Sequence, residues 1–314
     1  MIYIELLAGL FFLILGGNVL VDSAVSVARK LKVSSLLIGL LLVGFGTSMP
    51  ELATSLLAVA RDAGGIAVGN VIGSNIANIL LVLGVAALIR PIKIHRNAFG
   101  RDAIFLGLST IVLLVALLKG SIGWELGALM CMTLAFYVYH SYKTDKVHMA
   151  EQAETPQPIA LSRRFHVSTP LSIILTISGL VIMLIGAHML VDSVVVVASH
   201  LGISETIIGL TIVAFGTSLP ELVTSVIASI KGHSDVAVGN VIGSNIYNAL
   251  FILGFTALFL TVSVPPSVEP DVLVMAAATM VLLAIGWGRG KIDKLTGACF
   301  VLMYFTYIGY LGMH

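Results

Sequence analysis

The stretch AVGNVIGSNI fills residues 67–76 and returns without a change at residues 237–246. FGTSMPEL at residues 45–52 returns as FGTSLPEL at 215–222, and LVDS at 20–23 returns at 190–193, so all three blocks are displaced by the same 170 residues. An ungapped repeat of this reach predicts two copies of one structural unit. The residues around the blocks say what kind of unit it is.

Of the 314 residues, 58% are hydrophobic and only 11% charged, and the mean hydropathy is +1.06. Soluble globular chains of this length do not have such a composition. A helix needs about 20 apolar residues to cross the hydrocarbon core, and ten such stretches can be read, near residues 3–28, 35–61, 66–89, 102–119, 122–142, 170–198, 205–230, 236–261, 271–288 and 295–312. The first run lacks a basic leader and continues to full span length, so no signal peptide is expected. The expectation is an all-α polytopic membrane protein of the inner or plasma membrane. Residues 1–142 form a first five-helix repeat and residues 170–314 a second, joined by the hydrophilic segment 143–169, read as a linker. Five spans per unit is odd, so the second copy enters the membrane from the opposite side. Two inverted five-helix repeats are an architecture of secondary transporters.

Orientation follows from the basic residues. The connections after the first, third, fifth, seventh and ninth spans hold 15 of the 17 Lys and Arg residues, and only Arg61 and Lys119 fall on the other side. Those five connections, the linker among them, are expected in the cytoplasm and both termini outside. A net charge of +1 argues against nucleic acid or an acidic partner.

Glu51 and Glu221 fall well inside their spans, where an unpaired carboxylate costs several kcal/mol unless it is paired or lines a cavity. Pro50 and Pro220 precede them and cannot donate the helical hydrogen bond. The carbonyls of Gly46 and Gly216 are therefore freed, and the helices are expected to break there. Irregular backbone at membrane depth is tolerated around a polar site. Thr47 and Ser48 share the helix face of Glu51, as Thr217 and Ser218 share that of Glu221. Asn70, Ser74 and Asn78 recur every fourth residue on the third span, and Asn240, Ser244 and Asn248 do so on the eighth. Carboxylate, hydroxyl, amide and backbone oxygens without His or Cys suit hard cations, Ca²⁺ or Na⁺, and not Zn²⁺ or Cu.

Plainer readings apply to other residues. Gly69, Gly73, Gly239 and Gly243 form small-xxx-small patterns for close helix packing. Asp22 and Asp192 sit near span ends and read as structural. Cys131 and Cys299 read as packing residues, His188 as a hydrogen-bonded core residue and His233 as solvated. A cation channel could use the same oxygens but calls for a continuous pore. An intramembrane hydrolase calls for a nucleophile with a base, and no Ser-Lys or Ser-His arrangement accompanies the glutamates.

GTSMPE, GTSLPE and the two copies of GNVIGSN resemble the signatures of the two alpha-repeats of the cation/calcium exchanger superfamily, and the chain is similar to its prokaryotic sodium/calcium exchangers over nearly its whole length. The resemblance implies ten transmembrane helices in two inverted halves, transport rather than enzymatic activity, and no cofactor. The expected partners are the transported Ca²⁺ and Na⁺ and the lipid bilayer, without an obligatory protein partner. It implies a cation site formed by Thr47, Ser48, Glu51, Ser74 and Asn78 with Thr217, Ser218, Glu221, Ser244 and Asn248, completed by the carbonyls of Gly44 and Ala214. It further implies that helices 1 and 6 slide as a pair against the bundle. In one respect the chain departs: the well-described exchangers carry aspartate where this chain has Asn248. That makes the counter-ion an open choice between Na⁺, expected first, and H⁺.

Overall fold

The computed structural model describes residues 2–153, 168–201 and 214–311. Helix α1 covers Ile2–Leu31, α2 (Ser35–Thr47) and α3 (Met49–Ala60) form a bent pair, α4 covers Gly64–Ile89, α5 Arg96–Leu118, α6 Trp124–Ala153 and α7 Thr169–His200. The short α8 (Ala214–Thr217) and α9 (Leu219–Ile230) flank Ser218, and α10 (Ser234–Phe259), α11 (Glu269–Gly288) and α12 (Lys294–Leu311) follow. Among the described residues seven helices are long and apolar enough to cross a membrane, and the α2–α3 pair makes up to eight. This is a multi-pass membrane protein. The remaining expected spans are those near 122–142, which corresponds to α6, and near 205–230, whose first part lies outside the described residues.

The helix α6 runs on to Ala153, past residue 143 where the linker was expected to begin. Its extension is anchored, since the Asp145 side chain is buried and accepts a hydrogen bond of 2.7 Å from the Ser34 backbone N–H at the start of α2. Residues 154–167 of the expected linker lie outside the described residues.

Centre and periphery follow from small residues. In α4 and α10, 78% and 83% of the most apolar stretch is buried, against 33% in α1 and 22% in α7. The two AVGNVIGSNI segments therefore run through the middle of the bundle, while α1 and α7 pack along each other outside it. Glycines let those two backbones meet: a Cβ on Gly9 would lie 2.7 Å from Leu190 N, and one on Gly179 2.6 Å from Leu20 N. The opposite faces expose Ile4, Leu7 and Phe11 on α1 and Ile174, Ile177 and Ile185 on α7, as lipid-facing helices do. Of the four glycines read as close-packing, Gly239 and Gly243 serve it, for a Cβ there would fall 2.5 Å from Leu36 O and 2.6 Å from Leu40 O, whereas at Gly69 and Gly73 a Cβ would meet nothing within 4 Å.

Two short antiparallel ladders tie the halves together. β1 (Ile92–Lys93) pairs with β4 (Lys291–Ile292), and β2 (Ser121–Ile122) with β3 (Val262–Ser263). The connections after α4 and after α11 thus lie side by side.

Three minor expectations are corrected. His188 is exposed and pairs with Asp192 at 3.4 Å, because it lies on the outer face of α7. Cys299 is exposed on α12. His233, at the turn into α10, is half-buried; burial first, and then the neighbouring Arg29 charge, lower its imidazole pKa. Asp22 has a structural partner, accepting from Lys231 Nζ at 2.7 Å.

Candidate cation-binding site

The backbone is irregular where the motifs lie. Ser48 (φ −83°, ψ 5°) and Ser218 (φ −88°, ψ 1°) interrupt the helices, and α2 and α3 meet at 41°. Pro50 and Pro220 occupy the first turn of the arms that follow, where the missing N–H has no helical partner to lose. The segments Gly39–Gly44, Asn78–Val82 and Asn248–Ile252 are π-helical. Such wide turns within α-helices are frequent at functional sites, and here they end at Gly44 and begin at Asn78 and Asn248.

Glu51 and Glu221 stand at the starts of α3 and α9, with 1% and 0% of their surface exposed. Each backbone carbonyl is clamped from the central helices. Asn70 Nδ2 donates to Glu51 O at 3.2 Å and to Ser55 Oγ at 3.1 Å, and Asn240 Nδ2 donates to Glu221 O at 3.2 Å and to Ser225 Oγ at 3.0 Å. Thr217 ends the short α8, directly before the break at Ser218.

Around Glu221 the oxygens form a cluster. Ser244 Oγ lies 3.4 Å from Glu221 Oε1 and 3.3 Å from the Gly44 carbonyl. Thr47 Oγ1 lies 3.3 Å from the same carbonyl, 3.3 Å from Asn240 Oδ1 and 3.4 Å from Ser244 Oγ. Gly44 permits this approach, since a Cβ there would sit 2.9 Å from Ser244 N. Gly44, Thr47, Glu221 and Ser244 are therefore brought together from both halves. Ser48, Asn78, Ser218 and Asn248 are buried. Ser74 is buried too, and Ala214 opens the short α8.

Buried polar atoms are ordinarily satisfied, and here many are not. Among the described residues both carboxylate oxygens of Glu51, Oε2 of Glu221, Ser48 Oγ, Asn78 Oδ1 and both polar atoms of the Asn248 side chain have no hydrogen-bond partner. Leaving such groups unpaired costs about 1–3 kcal/mol each, more for a charge. Oxygens from two carboxylates, hydroxyls and amides match the coordination that hard cations take.

Comparison with known proteins agrees with this chemistry. The sequence profile of the sodium/calcium exchanger protein family matches residues 2–143 and 171–313. The chain belongs to that family. It is therefore a transporter and not an enzyme. The exchanger is 32% identical to the sodium/calcium exchanger MaX1 of Methanosarcina acetivorans, over 98% of its own length and 97% of the relative's. It is 33% identical to the inner membrane protein YrbG of Escherichia coli, over 96% and 95% of the two chains. A solved structure of the sodium-calcium exchanger NCX_Mj superposes with a TM-score of 0.84 at 31% identity, covering 98% of this chain and 99% of that one.

Four buried residues of the exchanger's centre escape a reading by motif and helix face. Ser55 and Ser225 receive the asparagine clamps, and Asn75 and Asn245 donate to each other's backbone carbonyls at 3.3 and 3.2 Å. The sequence does carry a signal for the serines: each follows its glutamate by four residues, one helical turn, in both repeats.

Proposed function

We propose that the protein is a secondary active antiporter that exchanges Ca²⁺ for Na⁺ by alternating access at a midplane site. Its ligands are the side chains of Thr47, Ser48, Glu51, Ser74, Asn78, Thr217, Ser218, Glu221, Ser244 and Asn248 with the carbonyls of Gly44 and Ala214. The observation that carries this is the pair of buried glutamates, one from each repeat, three of whose four carboxylate oxygens lack a hydrogen-bond partner among the described residues, near the Ser244 and Thr47 hydroxyls and the Gly44 carbonyl. Ten spans in two inverted halves, a cytoplasmic linker and external termini belong to the same proposal. The β1–β4 ladder supports it, since it sets the basic connections after the third and ninth spans together.

Obligatory exchange follows from charge. With Ca²⁺ bound, two negative charges meet two positive ones. Emptied, the site holds two unpaired anions at low dielectric, each costing several kcal/mol. A filled carrier changes sides; an empty one does so rarely.

Counterflow in proteoliposomes tests the counter-ion. Trapped Na⁺ is expected to drive Ca²⁺ uptake, and Asn248→Asp to alter the sodium activation curve more than Ca²⁺ affinity. Proton exchange is the second reading: two protons, like two Na⁺, balance the two carboxylates as Ca²⁺ does, whereas a third Na⁺ leaves a charge that the neutral Asn248 cannot neutralise. Uptake driven by a pH gradient without Na⁺ selects that reading.

A further inference from the structure

Asparagines on α4 and α10 cross between the two halves, and their bonds dictate which edge of each amide faces where. A backbone carbonyl only accepts, so the 3.2 Å contact of the Asn245 side chain with Asn75 O is made by Nδ2. Asn245 Oδ1 then lies on the other edge of its amide, and it too only accepts. The Asn78 side chain, 3.0 Å away, must therefore present Nδ2 to it. Amide orientation is assigned through such chains of donors and acceptors, and this one begins at an atom with no alternative role. Its end is Asn78 Oδ1, turned away from Asn245 and without a partner among the described residues, on a side chain whose residue is 1% exposed.

We propose that Asn245 is a positioning residue for ion binding, which acts through Asn78 Nδ2 to hold the Asn78 carbonyl oxygen ready for the cation. The inference rests on the site proposed above, in which Asn78 is a ligand. An oxygen held in place binds without the entropy of orienting it. The repeat-related pair is different. Asn75 Nδ2 donates to Asn245 O at 3.3 Å, which orients Asn75 in the same manner, yet Asn75 Oδ1 and both polar atoms of Asn248 have no partner among the described residues. One ligand amide is locked and its counterpart is not, so the two halves offer the ion unequal ligands despite identical blocks of sequence.

The competing role for Asn245 is a plain staple between α4 and α10. Asn245→Leu keeps the branched shape and removes the donor and the acceptor. Its expected effect in proteoliposomes is an apparent KM for Ca²⁺ raised about five- to tenfold, the worth of one hydrogen bond, with the maximal rate retained. Asn78→Asp supplies the discriminating background, because the two carboxylate oxygens are equivalent and need no orienting. There Asn245→Leu is expected to leave the KM unchanged or lower it, since Asn245 Oδ1 would otherwise face a negative charge. An equal fold-loss in both backgrounds, or a fall in maximal rate with KM unchanged, overturns the positioning role. Asn245→Ala repeats the test if the leucine variant does not fold. Glu51→Gln run in parallel separates the two levels of inference. If it transports Ca²⁺ like the wild type, the site itself is wrong; if it is inactive and Asn245→Leu leaves KM unchanged, only the positioning role fails.

Discussion

At the scale of residues, Glu51 and Glu221 are where charge and burial conflict most sharply. Each is almost wholly buried, and each half of the chain contributes one such carboxylate. Such a pair raises the energy of the empty protein, and the natural relief is a divalent cation. Glu51→Gln and Glu221→Gln preserve shape and remove half of the neutralising charge. Both are expected to fold, with unchanged elution in detergent, and to lose Ca²⁺ transport to background. Radiolabelled Ca²⁺ flux at wild-type rates by either purified variant would remove that carboxylate from the site. The glutamates were legible in the sequence because a charge inside an apolar run is conspicuous. Asn75 and Asn245 were not, because an amide beside a serine gives no sign of which neighbour it will meet across the bundle.

At the scale of elements, the glycines of α1 and α7 decide how that pair packs. A side chain at Gly179 meets the backbone of α1 at Leu20 N, and backbone cannot rotate aside. Gly179→Val is expected to destabilise by about 1–3 kcal/mol through overpacking, read as a lower melting temperature in detergent. Gly309→Ala on α12, where an added Cβ meets nothing within 4 Å, is expected to be neutral or stabilising by up to about 1 kcal/mol. If the two variants melt alike, close contact of α1 with α7 does not determine stability. The breaks near Pro50 and Pro220 were foreseen, since a proline leaves a fixed mark on a helix. The extension of α6 to Ala153 was not, since the sequence from 143 is hydrophilic and the Asp145 bond to Ser34 is visible only in three dimensions. Arg101, counted with the connection after the third span, lies within the first turns of α5 in a two-bonded pair with Asp102 at 2.7 and 2.9 Å, and burial of the aspartate could not be inferred from its neighbours in sequence.

At the scale of the whole molecule, the repeat explains why so much of the architecture could be read early. A displacement of 170 residues relates Asn70 to Asn240, Ser55 to Ser225 and Asn75 to Asn245; the first two pairs make the same bonds within each half, and Asn75 and Asn245 exchange equivalent bonds across the halves. Orientation in the membrane rests on charge instead. Single cysteines replacing Lys143 and Lys291, in a background without Cys131 and Cys299, are expected to resist an impermeant thiol reagent in intact cells and to react after permeabilisation. Labelling of either in intact cells would invert the assignment.

The central claim is exchange at the two-glutamate site, and radiolabelled Ca²⁺ uptake into proteoliposomes, with and without a trapped cation, tests it most directly. With Na⁺ or Ca²⁺ inside, uptake is expected to saturate with external Ca²⁺. With neither inside, at a pH that keeps the carboxylates charged, uptake is expected to fall to the level of protein-free vesicles, because the empty site cannot change sides. Saturable uptake that continues at full rate without any exchangeable cation inside would contradict obligatory antiport, and uptake that rises linearly with Ca²⁺ would indicate a channel.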